Sequence, residues 1–513
     1  MALPHLDITH GMSLPQLKAP GQAVLFCSSP PGLSSPITAV YQDILLEIFT
    51  LVGVDQAITS PHSTPVVLSH VCRHWRFLIL SCPFLWSNIS IGYCTYIEDV
   101  DLCASFVARV ARTVGKYLAR SQPAPLDIEC RKFYASIDHI REAVGAVVDH
   151  SARWRSIIIS ADLLSFMNAA RGRLPLLKDA RVFDDDNDCA DIPTVFDTFA
   201  IAPRLTRWVC DYELHRVTLP WAQLEDISFD DFNPEWLARV APEMVRLRRV
   251  RACASDTDPP PPAQEGCIVW ASCLDSVHLS MEEKEESYVR PAGFLAFCTF
   301  PRLRALHIEP DVGYYECIRY NMAWSHSVFM RLIARSGLRE LRALTLAQAL
   351  IAHEDLLEML AALPALEDLE LWEAVPARMI PADDRSDLVD MDEFIQAMTA
   401  HPEGEWRALL PRLKRLSLVG ELAIEEEVLL AFVRSRTENM GGYGRSSATE
   451  AEHSTLDELA LRFTDDDGDP LPSPLTSETH LVLVALIGPT RPEERFDQIY
   501  LRILGVCNVL IAR

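Results

Sequence analysis

Residues 366–371 read Leu-Glu-Asp-Leu-Glu-Leu, and residues 413–418 read Leu-Lys-Arg-Leu-Ser-Leu. Both follow the pattern apolar-x-x-apolar-x-apolar, which is typical of a strand that turns alternate side chains inward. Clear copies also begin at Leu303, Leu341 and Leu456, fair copies at Leu224 and Leu274, and weak copies at Trp154, Leu177, Leu205 and Phe496. A pattern that recurs in this order predicts stacked structural repeats.

Helical patterns lie between several of these copies, as in 328–335, 354–363 and 425–436. Strands that alternate with helices in a repeating chain predict a βα solenoid, so we assign residues 151–513 to a leucine-rich-repeat-like domain. Leu369, Leu416 and Leu459 should point inward from neighbouring strands of a mainly parallel sheet. The uneven spacing places extra length in two loops, 255–266 and 437–453, which we expect to be disordered.

The chain before the repeats has a different pattern. Residues 1–36 are rich in proline and predict a disordered tail. Residues 37–91 contain two apolar stripes at helical spacing, one over 44–52 and one over 68–79, and predict a short all-α module. Cys72 lies on the second stripe, where packing is the expected role. Residues 92–150 predict a helical linker that includes an amphipathic helix over 102–120.

Composition limits the classes of partner and chemistry. The net charge of −25 makes nucleic acid and an anionic membrane surface poor partners. The 14 cysteines form no Cys-x-x-Cys pair, which indicates core residues of a reduced, intracellular protein. Asp465-x-Asp467-x-Asp469 lacks the glycine and glutamate that a calcium-binding EF-hand loop requires. We therefore expect no metal, no cofactor and no enzymatic activity.

A family resemblance rests on three segments of the predicted helical module. They are Ile44-Leu45-Leu46-Glu47-Ile48-Phe49, the run Leu68-x-x-Val71-Cys72-Arg73-x-Trp75, and the closing Pro83-Phe84-Leu85-Trp86. Together they resemble the F-box domain, especially that of fungal F-box proteins with a leucine-rich-repeat-like C-terminal region. Residues 150–183 also look like the region that follows the F-box in such proteins.

The resemblance implies a substrate-recognition subunit of a cullin-RING (SCF-type) ubiquitin ligase. The F-box would bind a Skp-type adaptor on a cullin scaffold, and the repeats would hold an unknown target protein in the cytoplasm or nucleus. The implied adaptor-binding residues are Val40, Tyr41, Ile44, Leu45, Ile48, Phe49, Leu68, Val71, Cys72 and Trp75. Val40-Tyr41 replaces the Leu-Pro with which the family usually opens, and this favours an alternative: a leucine-rich-repeat scaffold that no longer binds the adaptor.

Candidate target-binding residues lie between the apolar positions of the repeats, because those side chains face away from the buried side. They are Arg304, His307, Glu367, Asp368, Glu370, Lys414, Arg415, Asp457 and Glu458. We expect neighbouring strands to display bases, then acids, then bases, then acids. A strip of mixed charge favours a specific protein surface over a polyanion.

Overall fold

A computed structural model describes the chain in segments. They are residues 40–52, 57–58, 60, 62–92, 100–131, 137–183, 196–210, 217–230, 233–254, 265–270, 273–281, 291–310, 322–372, 389–399, 409–420, 422–437, 455–463, 475 and 479. The predicted tail 1–36, most of the predicted loops 255–266 and 437–453, and the weak repeat copy at Phe496 lie outside the described residues.

One large sheet dominates the part of the chain that the structure describes. Its thirteen strands follow one another in sequence order, and every neighbouring pair is parallel. They are β1 (Asn88–Ile91), β2 (Leu126–Cys130), β3 (Trp154–Ser160), β4 (Asp179–Phe183), β5 (Arg207–Cys210), β6 (Asp226–Phe229), β7 (Arg249–Ala254), β9 (Ser276–Met281), β11 (Ala305–Pro310), β13 (Ala343–Ala347), β15 (Asp368–Trp372), β16 (Arg415–Gly420) and β17 (Glu458–Phe463). Two small parallel pairs stand apart from the sheet: β8 (Ile268–Val269) with β10 (Cys298–Thr299), and β12 (Met322–Ala323) with β14 (Ala349–Leu350).

α-Helices lie in most of the described connections between neighbouring strands, as is usual for parallel pairs; short 3-10 turns lie between β4 and β5 and between β5 and β6. The described α-helices are α1 (Gln42–Leu51), α2 (Thr64–Val71), α3 (Arg73–Ser81), α4 (Val100–Arg120), α5 (Ile137–Asp149), α6 (Leu164–Met167), α7 (Pro234–Val240), α8 (Ala292–Phe297), α9 (His326–Ser336), α10 (His353–Ala361), α11 (Met391–Met398) and α12 (Glu426–Thr437). A parallel sheet in chain order with crossover helices confirms the predicted α/β fold, a leucine-rich-repeat-like solenoid. None of the described helices combines the length and the apolar character that crossing a bilayer demands.

The repeat leucines stack from strand to strand. Leu369 pairs in register with Leu416, and Leu416 pairs with Leu459. All three side chains are buried, which confirms their predicted inward direction. Each inward row thus continues through the sheet as a ladder of packed apolar side chains, so a strand is stabilised mainly by its two neighbours.

Arginine side chains form hydrogen bonds between successive repeats. Arg153 donates hydrogen bonds to the carbonyls of Leu118, Ser121 and Ala124, which lie at and just beyond the end of α4. In a later repeat, Arg335 donates to the carbonyl of Leu295 in the last turn of α8 and to that of Cys298 just after it. Because the last carbonyls of a helix lack partners within it, these guanidinium groups satisfy them from the next repeat.

Arg436 is the most deeply buried of these arginines. It donates to Met398 at 2.7 Å, to Leu409 at 2.8 Å and to Leu410 at 3.1 Å, all backbone carbonyls at or after the end of α11. Burial lowers the pKa of Arg436 to about 10. The side chain therefore remains a cation at neutral pH, held by backbone oxygens.

The sheet begins earlier in the chain than the sequence analysis placed it. Strand β1 falls inside the segment 37–91, and β2 falls inside the segment 92–150 that we interpreted as a helical linker. That interpretation is wrong for residues 126–130, although α4 and α5 are helical as expected. The repeat pattern missed β2 because Pro123 occupies the position where an apolar residue starts the motif.

The boundary of the helical module also differs from the prediction. The chain forms two compact units that divide between Val52 and Gly53, so α1 belongs to one unit and α2, α3 and the sheet belong to the other. The second apolar stripe is not one helix: Cys72 is extended between α2 and α3. Its Sγ accepts a hydrogen bond from the Trp75 backbone N–H at 3.4 Å, so Cys72 is an exposed helix cap rather than a packed core residue.

Candidate functional site

Helix α1 exposes apolar side chains on one side and buries them on the other. Ile44 is 51% exposed and Ile48 is 45% exposed, four residues apart and therefore on one face of the helix. Leu45 and Phe49 are each 2% exposed. The exposed pair is thus free to contact another protein, whereas the buried pair is not.

Helices α2 and α3, with the turn that follows them, present a second group of exposed apolar side chains. Phe77 is 67% exposed and Phe84 is 64% exposed. Val67, Val71 and Leu80 accompany them. Single exposed apolar residues are ordinary, whereas several on two adjacent short helices are typical of an interaction surface.

Trp86 packs between α3 and α4. Its indole N–H donates to the Ile79 carbonyl at 2.8 Å, and its ring meets Tyr117 edge to face with centroids 5.0 Å apart. The Arg120 guanidinium lies 4.3 Å above the Trp86 ring. These contacts with α4 give the exposed side chains of α3 a rigid support.

Ser63 makes a second link between the short helices and α4. Its hydroxyl and that of Tyr117 lie 2.5 Å apart and are both buried. Burial raises the pKa of Tyr117, while this hydrogen bond and the charge of Arg120 act in the opposite direction. The phenol therefore stays neutral at physiological pH and serves as a hydrogen-bonded structural group.

The implied adaptor-binding residues divide by exposure. Tyr41, Ile44, Ile48, Val71 and Cys72 are exposed; Val40, Leu68 and Trp75 are half-buried; Leu45 and Phe49 are buried. Phe77 and Leu80 are exposed as well, although they are not among the contact residues predicted from the sequence. They lie off the apolar stripe that packs inward, and an aromatic residue on the outer side of an amphipathic helix is the signal that would have identified them.

The candidate target-binding residues lie either in the strands, on the outward face of the sheet, or in the turns just before those strands. Asp368, Arg415 and Glu458 stand in one register row across β15, β16 and β17. Arg415 forms an ion pair with Asp368, and Lys414 lies 2.8 Å from Glu367 in the turn before the strands. These charges therefore satisfy one another within the sheet.

Two of these pairings shift the pKa of one partner, Glu367 in its pair with Lys414 and Arg415 in its pair with Asp368. A hydrogen bond from Lys414 lowers the pKa of Glu367, and a hydrogen bond to Asp368 raises the pKa of Arg415. Glu370 accepts a hydrogen bond from the Trp372 indole at 3.0 Å. Each acid of the predicted acidic strand thus has a partner within the sheet.

One part of the predicted strip is wrong. Arg304 and His307 were expected on the strand next to Glu367, Asp368 and Glu370, but β13 lies between β11 and β15. The structure therefore separates the first pair of candidates from the rest by one full repeat. His307 instead lies opposite His278 of β9, a residue that the sequence analysis missed.

The alternation of charge returns toward the first strands of the sheet. Upstream of Asp368 the register row is uncharged at Ala343, Ala305 and Ser276. It is charged again at Arg249, Asp226, Arg207, Asp179 and Asp127. Arg207 lies 3.4 Å from Asp179, and Arg249 lies 3.2 Å from Asp226. Like the later strands, these present a mixed and internally paired surface.

His278, His307 and Glu309 form a compact cluster on the same outward face. His278 and His307 pair in register, and their ring centroids are 4.2 Å apart. Glu309 Oε1 lies 2.6 Å from His278 Nε2, and its Oε2 lies 2.8 Å from His307 Nε2. Burial raises the pKa of Glu309, but its contacts with the two imidazoles outweigh burial and lower it to about 2.

No protein-family model matches the sequence, and no curated protein matches it. Among solved structures, the chain is similar to the leucine-rich repeat-containing protein LegL7 from Legionella pneumophila, with 9% identity and a TM-score of 0.33 over 79% of this chain and 98% of that one. It is also similar to a chain of the Rad7 and Elc1 complex in yeast, with 13% identity and a TM-score of 0.29 over 75% of this chain and 89% of that one. Similarity this low assigns neither a family nor a function to the chain.

Proposed function

We propose that the chain is the substrate-recognition subunit of an SCF-type ubiquitin ligase. Its helical segment would bind a Skp-type adaptor, and its repeats would hold a target protein. The observation that carries this proposal is the exposure of Ile44 and Ile48, and of Val71, at positions where the sequence resembles the F-box. Water-exposed apolar side chains on short helices gain free energy when a partner covers them.

The proposal assigns the chain no bond chemistry of its own. It would act in the cytoplasm or nucleus by raising the effective concentration of a target lysine near the ubiquitin-charged enzyme. The outward face of the sheet is the proposed target surface, since its mixed charges suit a protein surface of complementary pattern. A polyanion would meet the repulsion of a chain whose net charge is −25.

The adaptor-binding experiment uses the exposed pair on α1. We expect Ile44→Ala combined with Ile48→Ala to weaken binding of the host's Skp-type adaptor by about 30-fold, equivalent to about 2 kcal/mol. Both side chains are about half exposed, so truncation opens no large cavity and the melting temperature should not change. Titration of the purified full chain with the adaptor, followed by calorimetry, measures the affinity.

Ile201 provides the matched control, because it is 57% exposed but lies in the repeat domain. Ile201→Ala should leave adaptor affinity unchanged. If the wild-type chain does not bind the adaptor, or if the double variant binds as tightly as wild type, the ubiquitin-ligase proposal fails. The first of these results supports the alternative of a scaffold that has lost adaptor binding, as the Val40-Tyr41 opening favours.

The target requires a second experiment. Affinity purification of the full chain together with the host's adaptor, followed by mass spectrometry, should recover a protein that depends on the repeats. Reversing Glu367, Asp368 and Glu370 to Lys would also break the ion pairs with Lys414 and Arg415. The better variant therefore exchanges charges, Asp368→Arg with Arg415→Asp, which keeps an ion pair between β15 and β16 and inverts the surface pattern. Because Glu458 lies beside position 415, the melting temperature of this variant is compared with that of wild type. Loss of the recovered protein in this variant supports recognition by the outward face.

A further inference from the structure

His278, His307 and Glu309 differ from the other polar groups on the outward face of the sheet. Among the described residues, these three side chains form a group that could hold a metal ion. Each offers one atom that can bind a metal, and these three atoms lie within 4.8 Å of one another. Each side chain is close to one-third exposed. The cluster is thus recessed between two strands but accessible to a solute.

The strand register fixes the arrangement. Parallel pairing places His278 of β9 directly beside His307 of β11, and Glu309 follows His307 by two residues on the same face. Both Nε2 atoms consequently point at the one carboxylate. Because strands hold these three residues, the cluster is built on a rigid part of the fold.

One ring nitrogen of the cluster, His307 Nε2, has no well-aligned hydrogen-bond partner. His278 Nε2 makes a good hydrogen bond to Glu309 Oε1 at 2.6 Å. His307 Nε2 is buried and makes no well-angled hydrogen bond, although Glu309 Oε2 lies 2.8 Å away. A buried imidazole nitrogen without a properly aligned partner is costly, and a ligand that it can coordinate removes that cost.

The donor set has a clear chemical preference. Two imidazole nitrogens and one carboxylate oxygen are ligands that Zn²⁺ accepts, at about 2.0–2.2 Å each, in tetrahedral sites that keep one position open. Ligand atoms around such an ion are about 3.3 Å apart, by the same bond lengths and tetrahedral angle. Small side-chain rotations that lengthen the 2.6 Å and 2.8 Å contacts are enough to admit the ion.

The groups that face the cluster from the adjacent strands are compatible with a cation. Thr345 of β13 pairs with His307 and carries no charge. Arg251 of β7 pairs with His278 and is exposed, so its long side chain can extend into solvent. The ionised carboxylate of Glu309 supplies the negative charge at the centre.

We propose that His278, His307 and Glu309 bind a divalent transition metal ion, with Zn²⁺ as the best fit. A water molecule would complete the tetrahedral set of four ligands. Binding replaces the direct contacts of the two imidazoles with the carboxylate by three metal–ligand bonds. Each imidazole then binds as the neutral tautomer with its proton on Nδ1, and any further proton is released to solvent. The site lies on the outward face and is independent of the adaptor-binding helices.

The test measures zinc binding by the full chain after removal of metal with a chelator. Competition against a chromogenic zinc indicator should show one site per chain that is lost, by about 100-fold or more in affinity, in His278→Ala and in His307→Ala. Glu309→Gln keeps the shape of the side chain and should weaken zinc binding while leaving the fold intact. Co²⁺ in place of Zn²⁺ should give the visible absorption of a tetrahedral ion.

His353 supplies the control, since it lies 3.4 Å from Glu393 in a different repeat and outside the cluster. His353→Ala should bind zinc as wild type does. Circular dichroism and melting curves of each variant separate loss of the zinc site from loss of the fold. If a histidine variant unfolds, the zinc affinity of Glu309→Gln provides the test instead. The proposal is overturned if the wild-type chain takes up no zinc, or if Glu309→Gln and the folded histidine variants bind it unchanged.

Discussion

Helices α2 and α3 and the outward face of the sheet both meet solvent, but their side chains are satisfied in different ways. On the helices, Phe77 and Leu80 expose apolar surface that water solvates poorly. On the sheet, charged residues such as Asp368 and Arg415 pair with one another across neighbouring strands. The helices therefore gain from a partner, whereas the sheet surface is already satisfied without one.

We therefore expect the helices to contribute mainly to the affinity of the chain for a partner, and the sheet surface mainly to its choice among partners. Covering exposed apolar area contributes most of the free energy of association, while exposed charge pairs contribute little and chiefly select among partners. Binding of the adaptor should thus be strong and insensitive to salt. Binding of a target on the sheet should depend on charge pattern and weaken as salt increases.

The largest effect is expected inside the sheet domain, where a charge is buried instead of exposed. Arg436→Met removes the cation that satisfies the carbonyls of Met398, Leu409 and Leu410, and should lower the free energy of unfolding by about 3 kcal/mol. Urea denaturation measures this loss. Arg434→Met, two residues away at an exposed position, should change stability by less than about 0.5 kcal/mol. Equal urea midpoints for the two variants would show that the buried Arg436 contributes no more to stability than the exposed Arg434.

An intermediate effect is expected on the apolar surface of α3. Phe77→Ala should weaken adaptor binding by about tenfold, or about 1.4 kcal/mol, without lowering the melting temperature, because the side chain is 67% exposed. Surface plasmon resonance with immobilised adaptor measures the affinity. Val245→Ala, at an exposed apolar position in the repeats, serves as the control. If Phe77→Ala lowers the melting temperature but binds the adaptor normally, Phe77 has a structural role. That result would contradict the assignment of Phe77 to an exposed binding surface.

The smallest effect is expected from the half-buried ion pair of Lys414 and Glu367, just before the strands. The hydrogen bond from Lys414 lowers the pKa of Glu367 in the folded chain. The pair therefore contributes stability above the unfolded pKa of about 4.3, and that contribution is lost as pH falls through the folded value. Glu367→Gln should cost less than about 1 kcal/mol at pH 7 and nothing at a pH below both values.

Thermal melts at pH 7 and in acid test this pH dependence. Glu142→Gln, on the exposed side of α5, controls for loss of a carboxylate elsewhere. A cost for Glu367→Gln that persists unchanged in acid would mean that the charge of Glu367 does not stabilise the fold. It would also remove the contrast between paired surface charges and unpaired apolar surface.

The repeat pattern predicted the sheet where the motif was complete and failed where it was not. Leu366-x-x-Leu369-x-Leu371 marks β15 because every inward position is a leucine. Strand β7 also fits the pattern, from Leu247 through Val250 to Ala252, but its small last residue hid it. Strand β2 begins after a proline and was interpreted as part of a helical linker.

The candidate sites were less predictable, because each depends on which residues meet in space. The resemblance at residues 44–49 pointed to the helical surface, but it did not separate exposed Ile44 and Ile48 from buried Leu45 and Phe49. Helical spacing gives the relative angles of side chains around an axis, not the side that the rest of the chain covers. For the same reason Cys72 was assigned to a packed stripe when it ends one helix and caps the next.

The sequence by itself determined the alternation of strand and helix and the inward leucines, since both depend on local periodicity within one repeat. Tertiary structure decided which strands are neighbours, because that depends on counting every repeat without omission. Strand β13, whose repeat begins at Leu341, lies between β11 and β15, so His307 and Glu370 are not on neighbouring strands as the predicted strip required. His278 and His307 are 29 residues apart, 278 to 307, and only strand register brings them together with Glu309.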